Sequence, residues 1–222
     1  MLAGPLFIGN RFAMSMQYYT QRVMDSILPL SVGGTLPKAF KEWTVTENVV
    51  DHETPDETCE LCGQESLRYH FEIRNSLNDN QLWIGSQCIL KFGLSVFEDG
   101  RVLSPGDAKK KVHRIMAQMQ QDACIRALQR VAAAENNEIL ANAIKYFKKH
   151  KYLSPKQAFV VLWRLNHHRI DHNPSFFKID LKHDRFKAQL RQMEDTRVHV
   201  LWPALTSSQR EMAKRFGHSA PE

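Results

Sequence analysis

Glycine and proline are scarce in this chain of 222 residues, at 10 and 9, which excludes collagen-like and low-complexity architectures. No apolar run approaches the roughly 18 residues of a membrane span. Early apolar residues are interrupted by Gly4, Pro5 and Gly9 with no charged region before them, so no secretory signal is expected and a cytoplasmic location is. Phosphate-cradling glycine loops, nucleophile elbows and paired-carboxylate motifs are missing as well. No small-molecule substrate and no membrane partner are therefore expected. What remains is ordinary globular composition, 43% apolar and 24% charged, enough for a real core.

Charge is unevenly placed. Residues 1–100 carry 7 Lys+Arg against 13 Asp+Glu, and residues 101–222 carry 23 against 11. The halves thus hold −6 and +12 within a total of +6. An acidic half followed by a basic one points to an anionic partner for the second half, either nucleic acid, with DNA foremost, or an acidic protein.

The pattern along the chain divides it in three. Residues 1–43 read as a leader, shapeless to about residue 15, followed by a short helix with Tyr18, Tyr19, Val23, Met24, Ile27 and Leu28 at helical spacing. Residues 44–103 read as a β module. Leu67, Tyr69, Phe71 and Ile73 alternate with Arg68, His70 and Glu72, which predicts a strand with one apolar face. Leu82-Trp83-Ile84 predicts its return, and Asp99-Gly100 a small hairpin. Residues 104–222 turn helical. Ser104-Pro105 and Ser154-Pro155 each pair an N-cap with Pro at the first helical position. Helices are expected over 105–134, over 137–149 with Ile139, Leu140, Ala143, Ile144 and Phe147 inward, over 155–168, over 182–193, and from Thr206 to Gly217. Val198 to Leu201 reads as a strand or an apolar connection.

The four cysteines are Cys59, Cys62, Cys88 and Cys124. A C-x2-C turn points two thiolates at one centre, with Gly63 easing the turn. A hairpin that goes out and comes back delivers Cys88 to the same place. This is the pattern of a treble-clef or zinc-ribbon site, and one structural Zn2+ per chain is the expected cofactor. A structural zinc wants four ligands. Cys124, on the long helix, is placed first as the fourth because it uses every thiol. His52, seven residues before the knuckle, is second, and a water completes the shell otherwise. His70 lies about 10 Å along its strand from the turn, too far to reach.

Glu42-Trp43, Cys59-Glu60-Leu61-Cys62, the strand Leu67 to Ile73, and Leu82-Trp83-Ile84-Gly85-Ser86-Gln87-Cys88-Ile89-Leu90 resemble a group of small bacterial proteins. These occur often on phages and integrative or conjugative elements. The similarity continues through Leu153-Ser154-Pro155-Lys156-Gln157 and Phe176-Phe177-Lys178. It implies a zinc-binding protein associated with a mobile element and carries over no catalytic residue.

The basic half supplies the candidate phosphate contacts. Lys109, Lys110, Lys111 and Arg114 open the long helix, where cations oppose the helix dipole, so contact with phosphate is the expectation. Lys148, Lys149 and Lys151 close the next helix, where they also suit the dipole, and Lys156 opens the following one. Helices 137–149 and 155–168 have helix-turn-helix spacing with Gln157 facing the groove, although Phe159 to Trp163 is apolar nearly all round. Asp171-His172-Asn173-Pro174 resembles the general-base segment of an HNH nuclease, with Pro one residue early and no Asn after Asn173. The chain is accordingly expected to be α+β, with a small zinc-stabilised β module and a basic helical domain. It is read as a non-enzymatic nucleic-acid-associated protein, with a protein adaptor as the alternative.

Overall fold

A computed structural model describes residues 19–221. The leader expected over 1–15 lies outside the described residues. The chain divides into two compact units, 1–117 and 118–222. The division falls inside the long helix and not at its start, so Lys109 to Arg114 belong with the β module.

The first unit begins with α1, over 19–27. Val23 and Ile27, four residues apart, are fully buried and fix the face this helix turns inward. A short α2 (Leu36–Ala39) leads to β1 (Trp43–Asp51). Trp43 is buried, and its indole N–H donates to Ser31 Oγ at 2.9 Å. β2 (Tyr69–Asn75), β3 (Gln81–Ile84), β4 (Ser95–Glu98) and β5 (Arg101–Val102) complete one sheet of order β3-β2-β1-β4-β5. All neighbouring strands are antiparallel except β1 and β4. Asp99 and Gly100 join β4 to β5 with φ of 50° and 75°, the left-handed pair that a tight hairpin turn requires. α3 (Ser86–Lys91) follows β3 directly.

The alternation in β2 has an unforeseen second side. Phe71 and Ile73 enter the core as expected, yet His70 and Glu72 on the other face are also buried. The cost of burying Glu72 is offset by hydrogen bonds from Thr46 Oγ1 and Asn48 Nδ2. His70 is shielded by the rings of His52 and Trp83.

α4 (Pro105–Ala134) runs from the first unit into the second, which also holds α5 (Glu138–His150), α6 (Pro155–His167), α7 (Asp184–Arg191), α8 (Asp195–Leu201) and α9 (Ser207–Arg215). Leu128, Leu140, Leu153, Leu162, Leu165, Leu190 and Leu201 form its core, each contributing about 1.5–3 kcal/mol by burial. Ser154 with Gln157, and Thr206 with Gln209, make reciprocal capping boxes.

Three expectations are corrected here. Ile139 is exposed: helix phase puts Leu140, Ala143, Ile144 and Phe147 inward and leaves Ile139 one position off that stripe. Val198 to Leu201 is part of α8, not a strand. Val198 and Leu201, three apart, bury one helical face, and Asp195 opens its first turn. Gln157 does not face outward for recognition, because its side-chain oxygen accepts from the Ser154 N–H.

Candidate metal centre

The knuckle at Cys59 is a closed backbone turn. Gly63 N–H donates to the Cys59 carbonyl at 2.8 Å, and Cys59 N–H to the Gln64 carbonyl at 2.9 Å. Gly63 has φ +72°, a conformation with little steric cost only for glycine. Glu60 ties the turn to β3: its N–H donates to the Trp83 carbonyl, and its carboxylate accepts the Trp83 N–H. The end of β3 therefore lies against the knuckle. Gly85 then caps α3, whose first turn carries Cys88.

This arrangement assembles three sulfurs. Cys59 Sγ and Cys88 Sγ are 3.7 Å apart, and Cys88 Sγ and Cys62 Sγ are 3.3 Å apart. Cys59 and Cys88 are buried, and Cys62 is half-buried at the wall of a cavity of about 470 Å³. The three form the one group of metal-ligating Cys, His or acidic side chains among the described residues. The site is built for thiolate. Its hydrogen bond with Cys88 and the N–H groups of Gly85, Cys62 and Leu61 outweigh burial and hold the Cys59 thiol down to about 5. The same hydrogen bond, with burial, pushes the Cys88 thiol up. Clustered thiolates need a cation to ionise together, and a bound metal ion supplies it.

One side chain that sequence reasoning left on the inner face of a short helix stands at the wall of this cavity. Tyr19 lines the same cavity as Cys59, Cys62 and Cys88. Lys91 Nζ stands 3.7 Å above its ring, and Phe92 stacks beside it at 6.2 Å. Arg22, three residues along α1, lies beside Gly63. The signal that could have found Tyr19 is its spacing: Tyr19, Val23 and Ile27 share one helical face.

The remaining candidates lie elsewhere. Cys124 is buried in the core of the second unit, and its Sγ–H donates to the Asp171 carbonyl at 3.1 Å. His52 sits at the end of β1, with Nδ1 3.5 Å from Glu57 and its ring edge-on to His70. His70 Nε2 is 3.2 Å from the Thr58 carbonyl. None of the three belongs to the sulfur group. His172 Nδ1 meets the Ile170 carbonyl at 2.8 Å, and Asn173 caps a short 3-10 turn over Pro174–Phe176.

The basic residues fall in both units. In the first, Lys110 pairs with Asp107 at 3.0 Å, Arg114 pairs with Glu98, and Lys111 reaches Glu98 and the Phe97 carbonyl. The Lys111 and Arg114 contacts anchor the β4–β5 hairpin to α4, an intramolecular use for cations that oppose the helix dipole. Lys109 is exposed. In the second, exposed Lys148, Lys149 and Lys151 end α5, with Lys148 bonded to Gln129, and Lys156 opens α6. Half-exposed Tyr146 and Tyr152 flank His150 there.

Among the described residues no helix is long and apolar enough to cross a membrane. No family model, curated protein or solved structure matches the chain.

Proposed function

We propose that this protein is a zinc-stabilised, nucleic-acid-associated accessory protein without catalytic activity, of the kind carried by bacterial mobile elements. The observation that carries the zinc reading is the sulfur geometry. Zinc–sulfur bonds of about 2.3 Å at tetrahedral angles put sulfurs about 3.8 Å apart. The 3.7 Å and 3.3 Å separations are close to that spacing. Zinc takes three thiolates readily, and N–H donors to Cys59 orient a ligand as outer-shell partners do. Knuckle, β2–β3 hairpin and α3, in that order, have the plan of a treble clef. Zinc here holds the turn, the hairpin and the helix together, so its binding energy is folding energy for the first unit.

The nucleic-acid reading rests on the second unit. Residues 118–222 carry 18 Lys+Arg against 10 Asp+Glu, a net +8. At the end of α5, Lys148, Lys149 and Lys151 stand beside Tyr146 and Tyr152, side chains of the two types that bind backbone phosphates and stack on bases. Lys156 adds a cation nearby in sequence. Lys110 and Lys111 of α4 have acceptors of their own and are the lesser contributors.

The test is a titration of the full chain with duplex and single-stranded oligonucleotides over a salt series. Binding that weakens steeply with salt supports the reading, because each phosphate contact releases counterions. No binding below about 100 mM salt would defeat it, and an acidic protein would then be the partner to seek for the second unit.

A further inference from the structure

We propose that the end of α5 takes unpaired nucleic-acid strands in preference to duplex. Tyr146, His150 and Tyr152 form the surface on which an unstacked base lies, and Lys148, Lys149 and Lys151 meet the phosphates beside it. The proposal rests on the nucleic-acid reading above and names the form of nucleic acid that this surface selects.

Three observations carry it. The first is the grouping of the rings. Tyr146 and His150, one helical turn apart, stack with centroids 4.2 Å apart and planes 29° from parallel. Tyr152 meets the pair from beyond the helix end, 5.9 Å from Tyr146 and 5.7 Å from His150. All three are half-exposed, so they make one aromatic surface at the rim of the second core. The second is rigidity. Lys151 closes α5 in the left-handed conformation, with φ 62° and its N–H on the Phe147 carbonyl. That turn lays Tyr152 back against the last turn of α5. The next residue, Leu153, is fully buried, its N–H donates to the Lys178 carbonyl, and its carbonyl accepts the Asp180 N–H. Rings already held in place lose little freedom when a ligand arrives. The third is charge. Lys148, Lys149 and Lys151 lie between the two tyrosines in sequence and are exposed. Glycine is the usual residue in the conformation of Lys151, so a cation is kept beside the rings at a steric cost. No Asp or Glu occurs between Glu138 and Asp171. Asp180, across from Leu153, has its carboxylate on the Lys182 N–H and near His183.

The preference follows from what each group can reach. Bases in a duplex are stacked on their neighbours and show only their edges in the grooves, so a flat aromatic surface gains nothing from them. An unpaired base lays its face on a ring, which is worth about 5- to 150-fold in affinity per base. The lysines serve both forms, but their share falls faster with salt on duplex, with a log–log slope of about 0.9 per phosphate against about 0.7 on single strands. Stacking is not screened. The single-strand preference therefore widens as salt rises.

The experiment titrates the full chain with a mixed-sequence DNA single strand, an RNA single strand of the same sequence, and the DNA duplex, over a salt series. Single strands are expected to bind more tightly, by a ratio that grows with salt, and the tighter of the two names the natural strand. Tyr146→Leu and Tyr152→Leu should each weaken single-strand binding about 5- to 150-fold, with the salt slope retained and little effect on duplex. Tyr146→Phe and Tyr152→Phe, which keep the rings, should retain the preference. If the Leu variants fail to fold, wild type decides: a single strand carrying 5-iodouracil should photocrosslink to Tyr146, His150 or Tyr152. Crosslinks confined to other residues, or salt-dependent binding that is equal for single strand and duplex, would overturn the proposal and leave the nucleic-acid reading standing. Binding of neither form would overturn both.

Discussion

Cys59 and Cys88 are 29 residues apart in the chain, and their sulfurs are 3.7 Å apart. The β2–β3 hairpin brings them together: β2 leaves the knuckle, β3 returns, and the Trp83 backbone bonds to Glu60 inside the turn. Contact at such separation costs loop-closure entropy, and a metal bridging both ends offsets it. Cys88→Ser, or chelation of wild type, is therefore expected to empty the site and lower the thermal midpoint of the first unit's unfolding. Calorimetry with and without chelator checks this. An unchanged midpoint would count against a structural metal.

Cys124 offers the opposite expectation. It is packed in the second core with its thiol on the Asp171 carbonyl. Cys124→Ala should cost about 1–2 kcal/mol, through a small cavity and an acceptor left unbonded. Metal content should stay as in wild type. Chemical denaturation and metal analysis on the same sample read both quantities, and loss of metal would return Cys124 to the ligand set.

The lysines separate by position. Reversing Lys148, Lys149 and Lys151 to Glu should weaken oligonucleotide binding and flatten the slope of log affinity against log salt, by about 0.9 on duplex DNA for each phosphate that is no longer neutralised. Sequence preference should hardly move, since phosphate contacts position and do not specify. Reversing Lys109, Lys110 and Lys111 should change the slope less and loosen the β4–β5 hairpin. Equal effects of the two triple variants would contradict the assignment.

Glu42 predicts a pH dependence. Its carboxylate accepts the Val32 N–H at 2.8 Å, the Gly33 N–H at 2.6 Å and the Asn75 amide at 2.8 Å. Burial acts against ionisation, but these three donors outweigh it and hold the carboxyl below its ordinary value. A folded value below the unfolded one, about 4.3 for Glu, gives stability that is present above that pH and lost as pH falls through the folded value. Glu42→Gln, which turns an amide N–H toward donors, should lower the thermal midpoint at neutral pH. The gap to wild type should narrow below about pH 4. A gap independent of pH would show that the charge contributes nothing.

The sulfur group was legible because its grammar is local: a C-x2-C turn, a period-two strand and a return of known length place Cys88 by arithmetic. The helix starts at Ser104, Ser154 and Thr206 were legible for the same reason, since capping is decided within four residues. The place of Tyr19 at the cavity wall was not, because an aromatic on a helix face looks alike whether it meets a core or the edge of a cavity. Nor was the burial of His70 and Glu72. Alternation tells which residues share a face, and only His52, Thr46 and Asn48, at and beside β1 across the sheet, decide whether the polar face stays wet. Val198 to Leu201 misled because β-branched residues favour strands only weakly, and packing at i, i+3 overrode that preference.

X-ray absorption at the zinc edge of the purified full chain, paired with metal analysis, tests the central claim most directly. The account predicts about one zinc per chain, with three sulfur neighbours at about 2.3 Å and one lighter neighbour at about 2.0–2.2 Å, all lost in Cys59→Ser/Cys62→Ser/Cys88→Ser. A metal-free chain, or zinc retained by that triple variant, would contradict it.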